Sequence, residues 1–235
     1  MLAGSLVGVY VGGSYALADY LPSRSDLDLA AVVRSSLSGE IEEAAVATLR
    51  QEALPCPARL LEFVVYHLDT ASSGLAKPDF ELNLNTGEGV PLSVQSRGET
   101  GDLGSHWFAI DRSVLSQAGV ALVGPPAGEV FAAIPPRDLI PVLIESLRWH
   151  RDHPTGASDA VLNACRALRY AQEARWSSKP AAGRWAVALG LAPGELITRA
   201  LQARTEGSRL DRPQVASFLT SAEARLRASV HQPSP

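Results

Sequence analysis

The chain has 235 residues, 46% hydrophobic and 20% charged, with 21 basic against 25 acidic side chains and a formal net charge of −4. That length supports one good core or two smaller ones, and the composition excludes a disordered, collagen-like or disulfide-scaffold chain. The slight acidity leaves no basic stripe for a nucleic acid backbone, and no unbroken apolar run of about 20 residues is present to span a bilayer.

In chain order, Leu6 to Val11 is β-branched and aromatic-rich, as a buried strand should be, and Leu27 to Val33 is a second apolar run. The intervening "YALADYL" has the composition of a short helix, and "PSRS" is a turn. "GEIEEAAVATLRQEA", from Gly39 to Ala53, reads as a helix with Ile41, Ala45 and Leu49 about one turn apart and acids at its front end. A Pro-bounded strand runs from Leu60 to Leu68. "FELNLN" alternates, "TGEG" turns, and "SHWFAIDRSVLSQAGVALVGPP" reads as a helix ending near Gly119 followed by a short strand. From Asp138 onward the pattern is helical. Candidate helices lie in "RDLIPVLIESLRWHRDH", "SDAVLNACRALRYAQEARW", "AAGRWAVALG", "APGELITRALQART" and "RPQVASFLTSAEARLRASV". The expected organisation is an α/β domain over residues 1–130 and an all-α helical bundle over 131–235.

Cys56 and Cys165 fit no metal or redox spacing and read as free thiols in a reducing compartment. The apolar N-terminus lacks the basic start of a signal peptide and is interrupted by Gly12, Gly13 and Ser14. A cytoplasmic monomer is expected. His150 and His153, three residues apart near a helix end, have no further metal ligands nearby and read as a solvated face.

The chemistry concentrates in "VGGSYALADYLPSRSDLDL". Glycines after a strand allow close approach of the backbone to a ligand, and a serine hydroxyl with the amides of a following turn can hold a phosphate oxygen. Asp26 and Asp28 occupy alternate positions, so both carboxylates point to one face, where they repel each other unless a cation such as Mg²⁺ joins them. Phosphates on a Gly-Ser turn beside Mg²⁺ on an Asp-x-Asp strand suit phosphoryl or nucleotidyl transfer. No Gly-Lys-Ser/Thr follows the glycines, so this is not a Walker loop. Glu62 is the polar residue inside the otherwise buried "RLLEFVVYHL". A carboxylate there is costly without a partner. On a strand beside Asp-x-Asp it would reach the same pocket, as a third metal ligand or as the base for an attacking hydroxyl.

These residues resemble the Gly-Ser…Asp-x-Asp signature of the nucleotidyltransferase (polymerase-β-like) superfamily. The Glu62 strand, "FELNL", "GVALVGPP" and the helical second half follow the order found in aminoglycoside 3″/9-adenylyltransferases. The resemblance implies transfer of AMP from ATP, with Mg²⁺, to a hydroxyl of a streptomycin- or spectinomycin-class aminoglycoside, without nucleic acid or membrane as partner. It implies that Gly13, Ser14 and Ser25 bind the ATP phosphates, that Asp26, Asp28 and Glu62 bind metal, and that Glu62 is the catalytic base. Arg166 and Lys179 match basic residues that reach the triphosphate. Trp149, Asp152 and Asp159 lie where the family contacts the drug. One departure bears on specificity: the family carries a tryptophan soon after "FELNL", whereas this chain has "NTGEGV". The alternatives are a nucleotidyltransferase acting on another small-molecule, protein or RNA hydroxyl, and a non-catalytic nucleotide-binding protein of the same fold.

Overall fold

The computed structural model describes residues 4–22, 24–99, 104–153 and 156–230, and the chain divides into two compact units, Met1–Ile134 and Pro135–Pro235. In the first, chain order gives β1 (Leu6–Val11), a one-turn α1 (Gly13–Ala16), β2 (Leu27–Val33), α2 (Gly39–Leu49), β3 (Leu61–His67) and α3 (Leu68–Ser72). The hairpin of β4 (Leu82–Gly87) and β5 (Val90–Ser96) follows, then α4 (His106–Ala118), β6 (Val120–Val123) and α5 (Ala127–Val130). The strands form one mixed sheet in the order β5-β4-β3-β2-β1-β6. Among the described residues only β2 and β3 pair in parallel, and α2 supplies the crossover such a pair requires.

Strand alternation sorts β2 and β3 onto two cores. Ala30, Val32, Val64 and Tyr66 join Tyr10, Phe108, Leu115 and Phe131 on the α4 side. Ala31, Val33, Leu61, Phe63 and Val65 join Ala45, Leu82 and Leu84 on the α2 side. Tyr10 and Tyr66 meet Phe131 edge-on at 5.2 and 6.2 Å, and Phe80 stacks on Phe108 at 4.3 Å. Each fully buried side chain of this size contributes about 1.5–3 kcal/mol. Because both faces are covered, β2 and β3 read as continuous apolar runs, and a carboxylate within them stands out.

Arg112, only 1% exposed on α4, is satisfied by main chain. It donates to the carbonyls of Phe108 (3.3 Å), Thr70 (2.7 Å), Leu75 (3.0 Å) and Lys77, tying the segment after α3 to the helix.

Local chemistry shortens some predicted elements and adds others. The expected "YALADYL" helix is replaced by the single turn α1, because Ala18 takes a positive φ of 54° and Asp19 N–H returns to the Ser14 carbonyl at 2.8 Å. The helix expected to reach Ala53 ends at Leu49, and β3 stops at His67, whose Nδ1 accepts from Asp69 N–H at 3.2 Å and caps α3. Strand β5 was not foreseen. The hairpin turns at Gly89, with φ of 69°, and β5 is an edge strand whose Val90, Leu92 and Val94 stay exposed.

The second unit holds α6 (Pro136–Asp152), α7 (Ala157–Glu173), α8 (Lys179–Ala188), α9 (Gly194–Glu206) and α10 (Arg212–Val230). Helix α7 is its centre and packs against α6, α8, α9 and α10. Ala160, Ala164 and Ala167 let neighbours approach closely, while Leu143, Leu147, Val161, Leu196, Leu219 and Leu226 fill the core. His150, expected on a solvated face, is instead buried at 7% exposure, because α7 lies over that side of α6 and Asn163 meets its ring at 3.2 Å. Among the described residues no helix is long and apolar enough to cross a membrane.

Candidate active site

The sheet register brings the predicted acids together. β2 and β3 run in parallel with Asp28 opposite Glu62, both on the α4 face with Ala30, Val32, Val64 and Tyr66. The turn after β1 is tied to this point, since Gly12 N–H donates to the Asp28 carbonyl at 2.9 Å. Gly13 then adopts φ of 50° with its main chain against the Asp28 side chain. A Cβ added there would lie 1.8 Å from Asp28 Oδ2 and 2.3 Å from its Cγ. No residue with a side chain fits, so the glycine is demanded by the carboxylate as much as by the turn.

Ser14 is the second residue of α1, and its Oγ is buried with no hydrogen-bond partner among the described residues. Such a hydroxyl costs about 1–3 kcal/mol when unsatisfied, and a phosphate oxygen is a fitting partner. The Ser25 hydroxyl accepts from Leu21 N–H at 2.9 Å, which shapes the turn into β2 while leaving its own proton to donate.

Electrostatically the site is acidic. Burial, followed by the charges of Asp28, Asp26 and Asp111 and a hydrogen bond with Asp28, raises the Glu62 carboxyl well above its ordinary range. The residue keeps a partial opening to solvent, but protein atoms surround the carboxyl closely enough for burial to dominate. These causes favour the neutral form of Glu62, whose carboxyl hydrogen-bonds with Asp28. Asp111, on α4, is a fourth acid that sequence reasoning missed, because only the packing of α4 across the sheet brings it near Glu62. Arg59 was also missed. Its Nη2 donates to Asp26 Oδ2 at 2.6 Å.

Carboxylate oxygens are the donors that suit a hard divalent cation such as Mg²⁺. In the present conformation, however, no three His, Cys, Asp or Glu side chains among the described residues are grouped so as to hold a metal ion. Asp26 is engaged by Arg59, and Asp28 hydrogen-bonds with Glu62. The fit is therefore one of chemistry: a cation on these oxygens would relieve the repulsion among them. A cavity of about 730 Å³ at the opposite end of β2 and β3, lined by Ser36, His67, Phe80, Glu81 and Arg97 among others, includes none of these acids.

The remaining candidates belong to the helical unit. Lys179, the first residue of α8, contacts Asp159 of α7 at 2.6 Å. Burial would raise the Asp159 carboxyl, but Lys179, with Arg204 and His150, outweighs it and holds the group below its ordinary value. Arg166 lies over the Trp176 ring at 5.1 Å and donates to Asn163 Oδ1 at 3.4 Å, and Asn163 also meets His150. Arg166 thus belongs to a partly buried network. Trp149 is half-buried and stacked on His153 at 4.4 Å, and Asp152 is exposed, 3.8 Å from Arg151. Trp107 sits half-buried against His106.

Residues 129–227 match the family model for the aminoglycoside adenylyltransferase C-terminal domain. The whole fold is similar to the crystal structure of spectinomycin adenyltransferase AAD(9) from Enterococcus faecialis with ATP and spectinomycin. The TM-score is 0.70 at 19% sequence identity, over 96% of this chain and 93% of that one. No curated protein matches the sequence. The second unit thus matches the aminoglycoside adenylyltransferase C-terminal domain, and the chain has the fold of that adenyltransferase structure, with Asp28 paired to Glu62 beneath a Gly-Ser turn.

Proposed function

We propose that the chain transfers AMP from ATP to a hydroxyl of a spectinomycin- or streptomycin-class aminoglycoside, in one in-line step that depends on Mg²⁺. The observation that carries this reading is the juxtaposition of Gly13, the buried Ser14 hydroxyl, Asp28 and Glu62 at one end of β2 and β3. Gly13 and Ser14 would take phosphate oxygens of the nucleotide, with the Ser25 hydroxyl donating beside them. Asp26, Asp28 and Glu62 would hold Mg²⁺, which when bound supplies charge neutralisation on the phosphates and the departing pyrophosphate. In its carboxylate form Glu62 is the proposed base. It would take the proton of the acceptor hydroxyl as that oxygen bonds to the α-phosphorus and the bond to pyrophosphate breaks. No step forms a bond between the nucleotide and the protein.

Arg166 and Lys179 are assigned to the triphosphate, and Trp149, Asp152 and Asp159 to the drug. Asp159 already has a strong partner in Lys179, so its share in drug binding would require that ion pair to loosen. Spectinomycin is the first acceptor to test, because "NTGEGV" after "FELNL" lacks the tryptophan that the family uses for streptomycin.

Pyrophosphate release from ATP and Mg²⁺ with a panel of aminoglycosides tests the reading. Release with spectinomycin is expected. Glu62→Gln should still bind ATP in a thermal-shift assay but lose about 10²–10⁴-fold in turnover, the usual contribution of a positioned general base. Silence with every drug would sink the resistance-enzyme reading, and undiminished turnover by Glu62→Gln would sink the assignment of the base.

A further inference from the structure

The proposed reaction gives Arg59 no part, yet this side chain is set against one of the proposed metal ligands. Its Nη2 donates to Asp26 Oδ2 at 2.6 Å. Strand register makes the pairing. Leu27 lies opposite Leu61, and Leu27 N–H donates to the Leu60 carbonyl at 2.8 Å, so the residues leading into β2 and β3 run side by side and bring Asp26 next to Arg59. Gly87, ending β4, packs on the other side, where an added Cβ would lie 2.6 Å from the Arg59 carbonyl. The main chain of Arg59 is thus hemmed in, while its side chain remains 54% exposed and Asp26 only 22% exposed. The backbone anchors the pair while the guanidinium borders water.

We propose that Arg59 is a positioning residue that serves as an exchangeable counter-ion, holding Asp26 in the ligand-free chain and giving up that carboxylate to the divalent cation. The proposal rests on the metal-dependent reading of the site. The charges of Asp28, Asp26 and Asp111 all bear on Glu62, and Arg59 offsets that of Asp26 until a cation arrives. A divalent cation on Asp26 would stand within a few ångströms of the guanidinium, and like charges at that separation repel. The cation alone therefore has to displace Arg59, whereas a nucleotide brings phosphate charge that accommodates both. Arg59 links cation binding to nucleotide binding and keeps Asp26 aimed while the site is empty.

Binding of Mn²⁺ alone to the full-length protein, followed by the electron paramagnetic resonance of free Mn²⁺ at low ionic strength, tests this. A half-exposed ion pair is weak, so Arg59→Gln should bind Mn²⁺ about two- to fivefold more tightly than wild type. Arg59→Lys, which keeps the charge, should stay close to wild type, and thermal melts of all three should coincide. A merely structural role for Arg59 would move Mn²⁺ affinity in the opposite direction. Equal or weaker binding by Arg59→Gln overturns the inference while leaving the metal-dependent reading in place. Absence of Mn²⁺ binding by wild type and variant, even with ATP present, overturns both.

Discussion

Gly13→Ala joins the fold to the chemistry in one methyl group. Gly13 sits at φ of 50°, where an alanine is disfavoured by roughly 1–2 kcal/mol. Its added Cβ would also stand 1.8 Å from Asp28 Oδ2, about half an ordinary van der Waals separation. The carboxylate must rotate away or the turn must move. Either response shifts the donor set by about 1 Å or more, and misplacements of that size cost on the order of 10²-fold in rate. The backbone penalty alone should lower the melting temperature of the N-terminal unit by about 3–8 °C. Gly12→Ala is the control: Gly12 has φ of −110°, and the nearest atoms to its added Cβ would be Leu115 Cδ2 at 3.2 Å, Leu115 Cγ at 3.5 Å and Asp28 Cβ at 4.0 Å. Melting curves and pyrophosphate release should therefore separate the two substitutions, with Gly12→Ala near wild type and Gly13→Ala severely impaired in turnover. Gly13→Ala turnover and melting indistinguishable from those of Gly12→Ala would refute the claim that the Gly13 main chain and the Asp28 carboxylate share this space.

Two further outcomes concern stability. Burial lowers the His150 pKa to about 4, outweighing the opposing pull of Asp159; an unfolded histidine titrates near 6.5, so between those values only the unfolded chain takes up the proton and stability falls as pH falls. Denaturant titrations should show a loss of about 2 kcal/mol from this residue between pH 7 and pH 5, and His150→Gln should flatten that part of the profile; an unchanged slope would contradict burial of a neutral ring. Arg112→Ala should destabilise the N-terminal unit by about 2–4 kcal/mol, since the carbonyls of Phe108, Thr70, Leu75 and Lys77 lose their shared donor, and equilibrium unfolding within 0.5 kcal/mol of wild type, roughly the surface-substitution range, would rule that role out.

Much was legible in the sequence because its signals are local. Apolar runs marked β1, β2 and β3, helical pattern marked α4 and the helices of the second half, and Asp26 and Asp28 stood out as carboxylates at the mouth of an apolar strand. Glu62 declared itself by being polar in a strand covered on both sides. Where local competition was close, the sequence misled: "YALADYL" has helical composition, yet a positive φ at Ala18 ends the turn, and His150 looked like part of a solvated face until α7 was packed over it.

The tertiary structure decided what depends on register and on elements far apart in the chain. Parallel pairing of β2 with β3 put Asp28 opposite Glu62, where a shift by one residue would have turned Glu62 to the other face. The same pairing delivered Arg59 to Asp26, and α4 brought Asp111 toward Glu62. The sequence by itself determined which residues carry charge into a hydrophobic sheet. Only the folded sheet determined which of those charges meet, because strand pairing is set by burying two apolar faces at once and no single segment contains that information.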